Sequence, residues 1–216
     1  MTERMTVDEQ TISGASDLTW KDVIRGLDPT VRYGLAFSGG CDSSFLLAAL
    51  CRAGIDVKAY MVMTAFQAPF ELEDARRVIA ETGAEWEVLY ADILSHPDIC
   101  ANSSNRCYYC KSFIFGHILS TMNRNGRTIL LDGTNASDDP TRRPGFKALA
   151  ELGVRSPLRE AGFTKDAVRA ASRAIGLSTA DKPNFSCFAT KVKEGQPLTR
   201  ASLGAVAHSL GMRLYC

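Results

Sequence analysis

The residues best suited to chemistry come directly after the first apolar run, and most of them are small or carry a hydroxyl group. They are Ser38, Gly39, Gly40, Cys41, Asp42, Ser43 and Ser44. Two adjacent glycines let the backbone turn sharply and approach a ligand closely. The free N–H groups and positive dipole end of the following helix suit a polyphosphate, and the serine hydroxyls add donors. The loop therefore predicts a nucleotide site, with a serine-rich helix cap as the alternative.

Asp42 differs from its neighbours in this loop because its negative charge opposes phosphate binding. A carboxylate beside phosphates is unfavourable unless a cation lies between them, so we assign Asp42 to a Mg²⁺ ion that bridges the phosphates. The loop lacks the lysine of the Walker loop and the third glycine of the dinucleotide fingerprint. It therefore belongs to neither of those two common nucleotide-binding classes.

A second polar patch, Asp132-Gly133-Thr134-Asn135, follows another short apolar run. Ligands of open parallel sheets bind at the carboxyl ends of the strands, so this patch is a candidate for the other side of the same site. Glycine and asparagine are also common in turns, and a simple turn is the alternative. We expect Gly133 and Thr134 to contact the nucleotide.

Three cysteines lie in contexts that suggest a chemical role. Cys107 and Cys110 form a Cys-x-x-Cys pair at the start of a predicted helix, where thiol pKa values are expected to be lowered. Cys187 lies in an irregular polar loop. Four interpretations stay open: an iron-sulfur cluster, which needs three thiolates when one iron is open; a zinc site that Cys100 or Cys187 completes; a redox pair; or inert packing.

An α/β fold is needed to bring these residues together. Apolar runs predict strands over 33–37, 57–63, 86–90 and 128–131, and helical periodicity follows each of the first three. Predicted helices end at Gly54, Gly83 and Gly176, and Thr164 is a predicted helix cap. Such alternation predicts a doubly wound, mainly parallel sheet with flanking helices. We divide the chain into a flexible arm (1–16), a nucleotide-binding domain (17–160) and a helical segment with the Cys187 loop (161–216).

Composition narrows the function classes. The 216 residues, of which 45% are hydrophobic, are enough for one full core. The 25 Lys and Arg nearly balance the 24 Asp and Glu, which argues against a dedicated nucleic-acid binder. Seven cysteines, an odd number without a secretory signal, indicate reduced thiols. With no apolar stretch of about 20 residues, we expect a cytoplasmic protein without a membrane span.

The Ser38–Ser44 loop, its position after a strand and the alternating elements resemble the PP-loop ATP pyrophosphatase superfamily. This resemblance covers the part of the chain before Pro140. It implies a fold like that of the adenine nucleotide alpha hydrolases. It also implies that ATP, with Mg²⁺, is cleaved between its α and β phosphates to adenylate a substrate. The loop residues Ser38, Gly39, Gly40, Ser43 and Ser44 are then the nucleotide ligands.

Further segments closely resemble the LarE family of sulfur transferases, which act in making the nickel-pincer nucleotide cofactor. The matching segments are 38–44, 105–111, 133–135, 143–145, 153–158 and 182–191. In that family ATP adenylates a pyridinium carboxylate on a mononucleotide, and a cysteine attacks the acyl adenylate. The resemblance implies that Cys187 is this catalytic cysteine and that Arg143 and Arg155 lie near phosphates of the substrate or nucleotide.

The resemblance also bears on the sulfur source. Some family members give up the sulfur of the cysteine itself and keep dehydroalanine, whereas others hold a four-iron, four-sulfur (4Fe-4S) cluster on three cysteines. Cys107, Cys110 and Cys187 look like the second type, so the sharper hypothesis makes Cys187 a cluster ligand. A thiolate is in either case the strongest common side-chain nucleophile for an activated carbonyl.

Two differences from the family stand out. This chain has Ala189-Thr190-Lys191 where the family usually has Ala-Ser-Arg, and lysine does not reproduce bidentate phosphate binding. This leaves room for a different substrate. Family members also usually continue past the position of Leu214 into a region involved in assembly. The expected partners are a small carboxylated nucleotide-like substrate and further copies of the chain in a homo-oligomer, without nucleic acid or membrane.

Two alternative functions are kept. A tRNA thiolase of the same superfamily could combine the loop with a cluster-binding Cys-x-x-Cys, although the near-neutral charge argues against it and salt-dependent tRNA binding would support it. A nonenzymatic nucleotide-binding or zinc-stabilised module would bind ATP without releasing pyrophosphate. It would also contain zinc and no iron.

Overall fold

The computed structural model describes residues 18–141 and 144–214. Its four strands are β1 (Tyr33–Ala36), β2 (Val57–Met63), β3 (Glu85–Tyr90) and β4 (Ile129–Leu131). The strand order is β3-β2-β1-β4, and every neighbouring pair is parallel. The predicted parallel α/β sheet is confirmed. The predicted arm, 1–16, lies outside the described residues.

Helices connect and flank the strands. They are α1 (Trp20–Ile24), α2 (Cys41–Arg52), α3 (Pro69–Thr82), α4 (Pro97–Cys100), α5 (Arg106–Arg124), α6 (Gly145–Glu151), α7 (Pro157–Glu160), α8 (Lys165–Ala174) and α9 (Arg200–Ser209). The predicted caps are confirmed at two helices. Gly83 follows α3 with a left-handed φ of 67°, and the Thr164 hydroxyl accepts a hydrogen bond from the Ala167 N–H at the start of α8. Among the described helices, all fall short of the length and apolarity needed to cross a bilayer.

Side chains on successive residues of β2 enter two different apolar layers, as the alternation of a strand requires. Ala59, Met61 and Met63 pack with the layer that contains residues of α2, α3 and α8. Tyr60 and Val62 pack with the layer that contains residues of α5 and α6. Helices therefore cover both faces of the sheet, which is the doubly wound arrangement.

A further apolar layer, here called the outer cluster, lies apart from the two sheet layers. Its buried members include Phe66 after β2, Ile99 in α4, Phe188 after Cys187, and Leu203 in α9. This cluster joins the last part of the chain to the segments that follow β2 and β3. The division of the chain at residues 160 and 161 stays a prediction.

The order of the strands reverses between β1 and β4. The chain runs from β1 through β2 to β3 in one direction, and β4 then lies on the other side of β1. Loops that leave neighbouring strands in opposite directions open a crevice at the carboxyl edge of the sheet. The two predicted polar patches follow these two strands, so the fold places both at this crevice.

Candidate functional site

The loop between β1 and α2 is closed by two serine hydroxyls. The Ser38 N–H donates to Ser43 Oγ at 3.3 Å, and the two hydroxyl oxygens lie 3.1 Å apart. The Gly40 N–H donates to Ser38 Oγ at 3.3 Å. Ser44 is different: it is fully buried, and its hydroxyl has no hydrogen-bond partner in the described part of the chain. Ser38 and Ser43 therefore shape the loop, whereas Ser44 faces the interior.

Two glycines are required by the close approach of backbones. Gly39 has a left-handed φ of 65°, and a Cβ there would lie 2.9 Å from the Cα and N of Ala75 in α3. A Cβ on Gly133 would lie 2.8 Å from the Ser43 nitrogen. The patch after β4 therefore touches the start of α2 directly. The structure brings the two predicted patches together.

A cavity of about 350 Å³ opens between these two patches. Six of the predicted nucleotide ligands and metal ligands line it: Ser38, Gly40, Asp42, Ser43, Gly133 and Thr134. Its apolar wall includes Met61 of β2 and Phe115 of α5, and its polar wall includes Glu71 and Asp132. Burial raises the pKa of the Glu71 carboxyl. The cavity thus combines a polar end at the loop with an apolar end at the sheet.

Asp42 has one paired and one unpaired carboxylate oxygen. Its Oδ2 accepts from the Lys165 ammonium at 2.7 Å, while its Oδ1 is buried and has no hydrogen-bond partner among the described residues. A buried carboxylate oxygen without a partner is unfavourable, and a cation would relieve it. The donor chemistry at Asp42 therefore fits a Mg²⁺ ion.

Lys165 is a site residue that the sequence analysis missed. It is the first residue of α8, where a positive charge opposes the helix dipole. That unfavourable placement, directly after the predicted cap Thr164, is the signal that could have identified it. The ammonium lies beside the loop that is expected to hold phosphates.

Lys182 is a second missed residue, and it connects three elements. Its ammonium donates to the Gly39 carbonyl at 2.9 Å and pairs with Asp74 of α3 at 2.8 Å. It also lies 5.8 Å from the centre of the Phe70 ring. Lys182 therefore fixes the start of the Cys187 loop to the backbone of the nucleotide loop.

Asp132 organises the patch after β4. Its carboxylate accepts from the Thr134 N–H at 3.2 Å, the Thr134 hydroxyl at 2.5 Å and the Ser156 hydroxyl at 2.6 Å. Three hydrogen bonds to one carboxylate hold the turn after β4 in place. The Thr134 hydroxyl is thus already hydrogen-bonded to Asp132. Gly133 lies against the backbone of Ser43 at the start of α2.

Of the two predicted arginines, Arg155 does not line the cavity. Arg155 continues the sheet edge beside β4 through its backbone, with its N–H donating to the Leu130 carbonyl at 3.0 Å. Its guanidinium binds the Glu160 carboxylate at 2.5 Å and the Gly26 carbonyl at 3.0 Å, next to α1. Arg143 lies outside the described residues.

The structure brings Cys107, Cys110 and Cys187 into one neighbourhood. Cys107 is exposed, whereas Cys110 and Cys187 are half-buried against the outer cluster. Burial, followed by the charges that Cys187 and Cys107 would carry, raises the pKa of Cys110 to about 12. The prediction of a lowered pKa at the helix start was therefore wrong for Cys110, because burial outweighs the helix start. Burial also raises the pKa of Cys187.

Cys100, the fourth cysteine considered for a zinc site, has backbone carbonyls as its thiol partners. The Cys100 thiol donates to the Leu94 carbonyl at 3.3 Å, and burial, followed by the Asp92 charge, raises its pKa. Within 18–141 and 144–214, no three side chains of His, Cys, Asp or Glu are arranged to hold a metal ion. The thiols are neighbours, but they do not form a ready-made metal site.

Lys111 connects the thiols to the cavity. It follows Cys110 directly and lines the cavity wall. Its stem is fixed by Gly145, where a Cβ would lie 2.6 Å from Lys111 Cδ. The ammonium lies 5.7 Å from the centre of the Phe115 ring and 5.9 Å from that of Phe146. Its partners in the described structure are these rings, so an anionic ligand in the cavity would find an unpaired cation.

Comparison with curated proteins finds two relatives at the same level of identity. An uncharacterized protein of Synechocystis is 32% identical over 176 residues, which are 81% of this chain and 66% of that protein. The pyridinium-3,5-bisthiocarboxylic acid mononucleotide synthase of Lactiplantibacillus plantarum is 32% identical over 190 residues, which are 85% of this chain and 67% of the synthase. The chain thus spans just under two thirds of the first relative's length and 67% of the second's.

Comparison with solved structures supports the architecture. The fold is similar to that of NMN synthetase from Francisella tularensis, with a TM-score of 0.58 over 91% of this chain and 84% of that one. At 14% sequence identity this likeness concerns the fold alone. No protein-family model matches the chain.

Proposed function

Because the chain belongs to the LarE family of the PP-loop ATP pyrophosphatase superfamily, we propose that it is an ATP-dependent sulfur transferase. In this proposal it adenylates a substrate carboxylate and then replaces the activated oxygen with sulfur. The observation that carries the proposal is that Lys111 and Cys110 are adjacent in α5. Lys111 lines the cavity beside the nucleotide loop, and Cys110 belongs to the thiol site, by which we mean Cys107, Cys110 and Cys187. A carboxylate activated in the cavity would therefore lie near a sulfur nucleophile.

The nucleotide would bind with its phosphates at the Ser38–Ser43 loop and the start of α2. Backbone N–H groups and the helix dipole favour anions there. The Oδ1 of Asp42, which has no hydrogen-bond partner in 18–141 and 144–214, supports a role in holding Mg²⁺, which would neutralise phosphate charge. Lys165 pairs with Asp42 in this structure. If Asp42 bound Mg²⁺ instead, the Lys165 ammonium would be able to donate to a phosphate oxygen.

The reaction would have two displacements. A substrate carboxylate oxygen attacks the α-phosphorus of ATP, the bond to the bridging oxygen breaks, and pyrophosphate leaves. A sulfur nucleophile then attacks the acyl carbon, and AMP leaves with the electron pair of the carbon–oxygen bond. Among the described residues the Lys111 ammonium contacts the Phe115 and Phe146 rings, which supports a role in holding an anionic group of the second substrate. By analogy with the name of the Lactiplantibacillus relative, that substrate is a pyridinium carboxylate mononucleotide.

For the sulfur source we propose a 4Fe-4S cluster on Cys107, Cys110 and Cys187. Three neighbouring thiols are the donor set such a cluster requires, and when bound it would leave one iron open for an additional sulfide. Since these side chains are not arranged as a metal site, they would have to close around the cluster. In the other version Cys187 supplies its own sulfur: the Cβ–Sγ bond breaks as the Cα proton is removed, which leaves dehydroalanine.

The reaction is tested with reduced, anaerobically purified protein, Mg²⁺, ATP and pyridinium-3,5-dicarboxylic acid mononucleotide as the probe. We expect pyrophosphate release that depends on the carboxylate, and a thiocarboxylate product visible by mass spectrometry. Asp42→Asn should abolish both, Cys187→Ala should abolish only the thiocarboxylate, and Cys51→Ala on α2 is the matched control. Thiocarboxylate formed by Cys187→Ala, or pyrophosphate release that ignores the carboxylate, would contradict the proposal.

The sulfur source is tested by iron, sulfide and zinc analysis of the same protein and its visible spectrum. Iron and sulfide that disappear in Cys107→Ala, Cys110→Ala and Cys187→Ala would support the cluster. Iron-free protein that makes at most one thiocarboxylate per chain, and whose Cys187 becomes dehydroalanine with the loss in mass of one H₂S, would support the sacrificial cysteine. Zinc without iron, combined with no pyrophosphate release, would support the binding-module alternative, and salt-dependent tRNA binding would support the thiolase.

A further inference from the structure

Asn102 is a fully buried polar residue with an unusual backbone conformation. Its φ of 52° lies in the left-handed region, where asparagine is more common than most residues. Its side-chain amide donates to the carbonyls of Lys193 and Gln196 at 2.9 and 3.0 Å. Its own carbonyl accepts from the Gly195 N–H at 2.9 Å. Asn102, four positions before the start of α5, thus binds the far end of the Cys187 loop through both its backbone and its side chain.

Arg106 connects the two cysteine-bearing segments at a second point. Its Nη1 donates to the Ala189 carbonyl at 3.0 Å and to Asn102 Oδ1 at 2.5 Å, and its Nη2 lies 3.5 Å from Cys107 Sγ. Arg106 precedes Cys107 in the sequence, and Ala189 follows Cys187 by two residues. A single guanidinium therefore spans from one thiol-bearing segment to the other.

The Cys187 loop has little regular structure with which to hold its own position. From 183 to 199 it forms one short 3₁₀ turn, Phe188–Lys191. Backbone hydrogen bonds from Phe188 to Phe66 and from Leu198 to Cys100 fix its two sides to the core. Between them, Asn102 and Arg106 supply side-chain hydrogen bonds that join it to the start of α5 and the segment just before it, in addition to the apolar packing of the outer cluster.

We propose that Asn102 and Arg106 form a clasp that sets the position of Cys187 relative to Cys107 and Cys110, and that both are positioning residues for the thiol site. The importance of that position for sulfur transfer rests on the proposed function, whereas the clasp itself does not. Neither residue lines the cavity beside the nucleotide loop. The clasp therefore acts on the thiols and leaves nucleotide binding to other residues.

The direct test measures how close the thiols are in the reduced, metal-free protein. Dibromobimane becomes fluorescent when it joins two neighbouring thiols, and peptide mass mapping identifies the joined pair. The variants are Asn102→Gly, which allows the left-handed backbone, and Arg106→Gln at a partly exposed site. The control is Asn125→Ala, which removes side-chain hydrogen bonds to Tyr60 and Glu87 at the other end of α5.

We expect the end-point yield of Cys187 joined to Cys107 or Cys110 to fall about fivefold in both variants, because a loop that loses these hydrogen bonds samples more positions between its remaining contacts. Asn125→Ala should keep the wild-type yield, and all variants should keep wild-type affinity for ATP. Asn102→Gly leaves the Arg106 charge in place. A lower yield of the joined pair in that variant therefore reflects the position of the thiols and not the charge beside them. In Arg106→Lys the ammonium can reach only one of the two acceptors, Asn102 Oδ1 or the Ala189 carbonyl. Its yield of the joined pair should lie between those of the wild type and Arg106→Gln.

A wild-type yield of the joined pair in both Asn102→Gly and Arg106→Gln would overturn the clasp. A loss of ATP affinity that matches the loss of joining would also overturn it, because the residues would then support the whole fold. If joining falls as expected but the wild type makes no thiocarboxylate, the proposed function fails while the clasp stands. The two failures are therefore distinguishable.

Discussion

The cavity beside the nucleotide loop and the thiol site are held together by different kinds of contact. The cavity is defined by backbone: Gly39 touches α3 and Gly133 touches α2 at the carboxyl edge of the sheet. The thiol site is defined by side chains that join two segments some eighty residues apart, with Asn102 and Arg106 as the polar contacts. Backbone contacts at a sheet edge are set by the fold, whereas the thiol site depends on a few individual side chains.

The largest expected effect concerns the thiol site and is the slow reaction of the Cys110 thiol in the folded protein. A pKa of about 12 for Cys110, against an ordinary 9.0, reduces its thiolate fraction at pH 8 on the order of a thousandfold. Both values lie above pH 8, and the thiolate forms only as the pH rises towards them. Iodoacetamide should therefore label Cys110 far more slowly in the folded, metal-free protein than in urea. Peptide mass mapping measures both rates. Equal rates would mean that burial does not suppress the Cys110 thiolate in the folded protein.

A second prediction compares two glycines with the same backbone requirement. Gly39 and Gly54 have φ values of 65° and 70°, but a Cβ on Gly39 meets the Ala75 backbone, while one on Gly54 has nothing within 4 Å. Gly39→Ala should lower the free energy of unfolding by about 1–3 kcal/mol more than Gly54→Ala, because overpacking adds to the backbone strain. Urea unfolding and ATP titration of both variants check this. Equal destabilisation would mean that the loop can move away from α3.

The strands, the nucleotide loop and the crevice were predictable because they depend on local patterns. The apolar runs and the helix caps at Thr164 and Gly83 predicted the elements, and parallel strands then place the loop after β1 and the patch after β4 on the same edge of the sheet. The pairing of β1 with β4 is seen only in the structure. These inferences need only periodicity and a rule of topology.

Side-chain partners were not predictable in this way. The guanidinium of Arg155 turns to Glu160 and Gly26, and the ammonium of Lys182 reaches Gly39, because the packing of distant elements decides these directions. The raised pKa of Cys110 has the same origin, since burial depends on residues far along the chain. The grouping of the three cysteines was expected from the family resemblance and not from spacing.

The smallest expected effect concerns Lys111, where the two regions meet. Lys111→Met keeps the apolar stem against Gly145 and removes the charge. The KM for the carboxylate probe should rise about tenfold, because a hydrogen bond to a charged group contributes about 1.5–3 kcal/mol. The KM for ATP should not change. Lys147→Met, whose lysine lies 5.3 Å from the Tyr108 ring and does not line the cavity, is the control. A rise in the KM for ATP alone would assign Lys111 to the nucleotide.

The contact between Lys182 and the Gly39 carbonyl limits how far Cys187 can travel. Five residue steps separate Lys182 from Cys187, and an extended chain of that length spans at most about 18 Å. While the Lys182 ammonium holds the Gly39 carbonyl, the backbone of Cys187 is therefore confined to the neighbourhood of the Ser38–Ser44 loop.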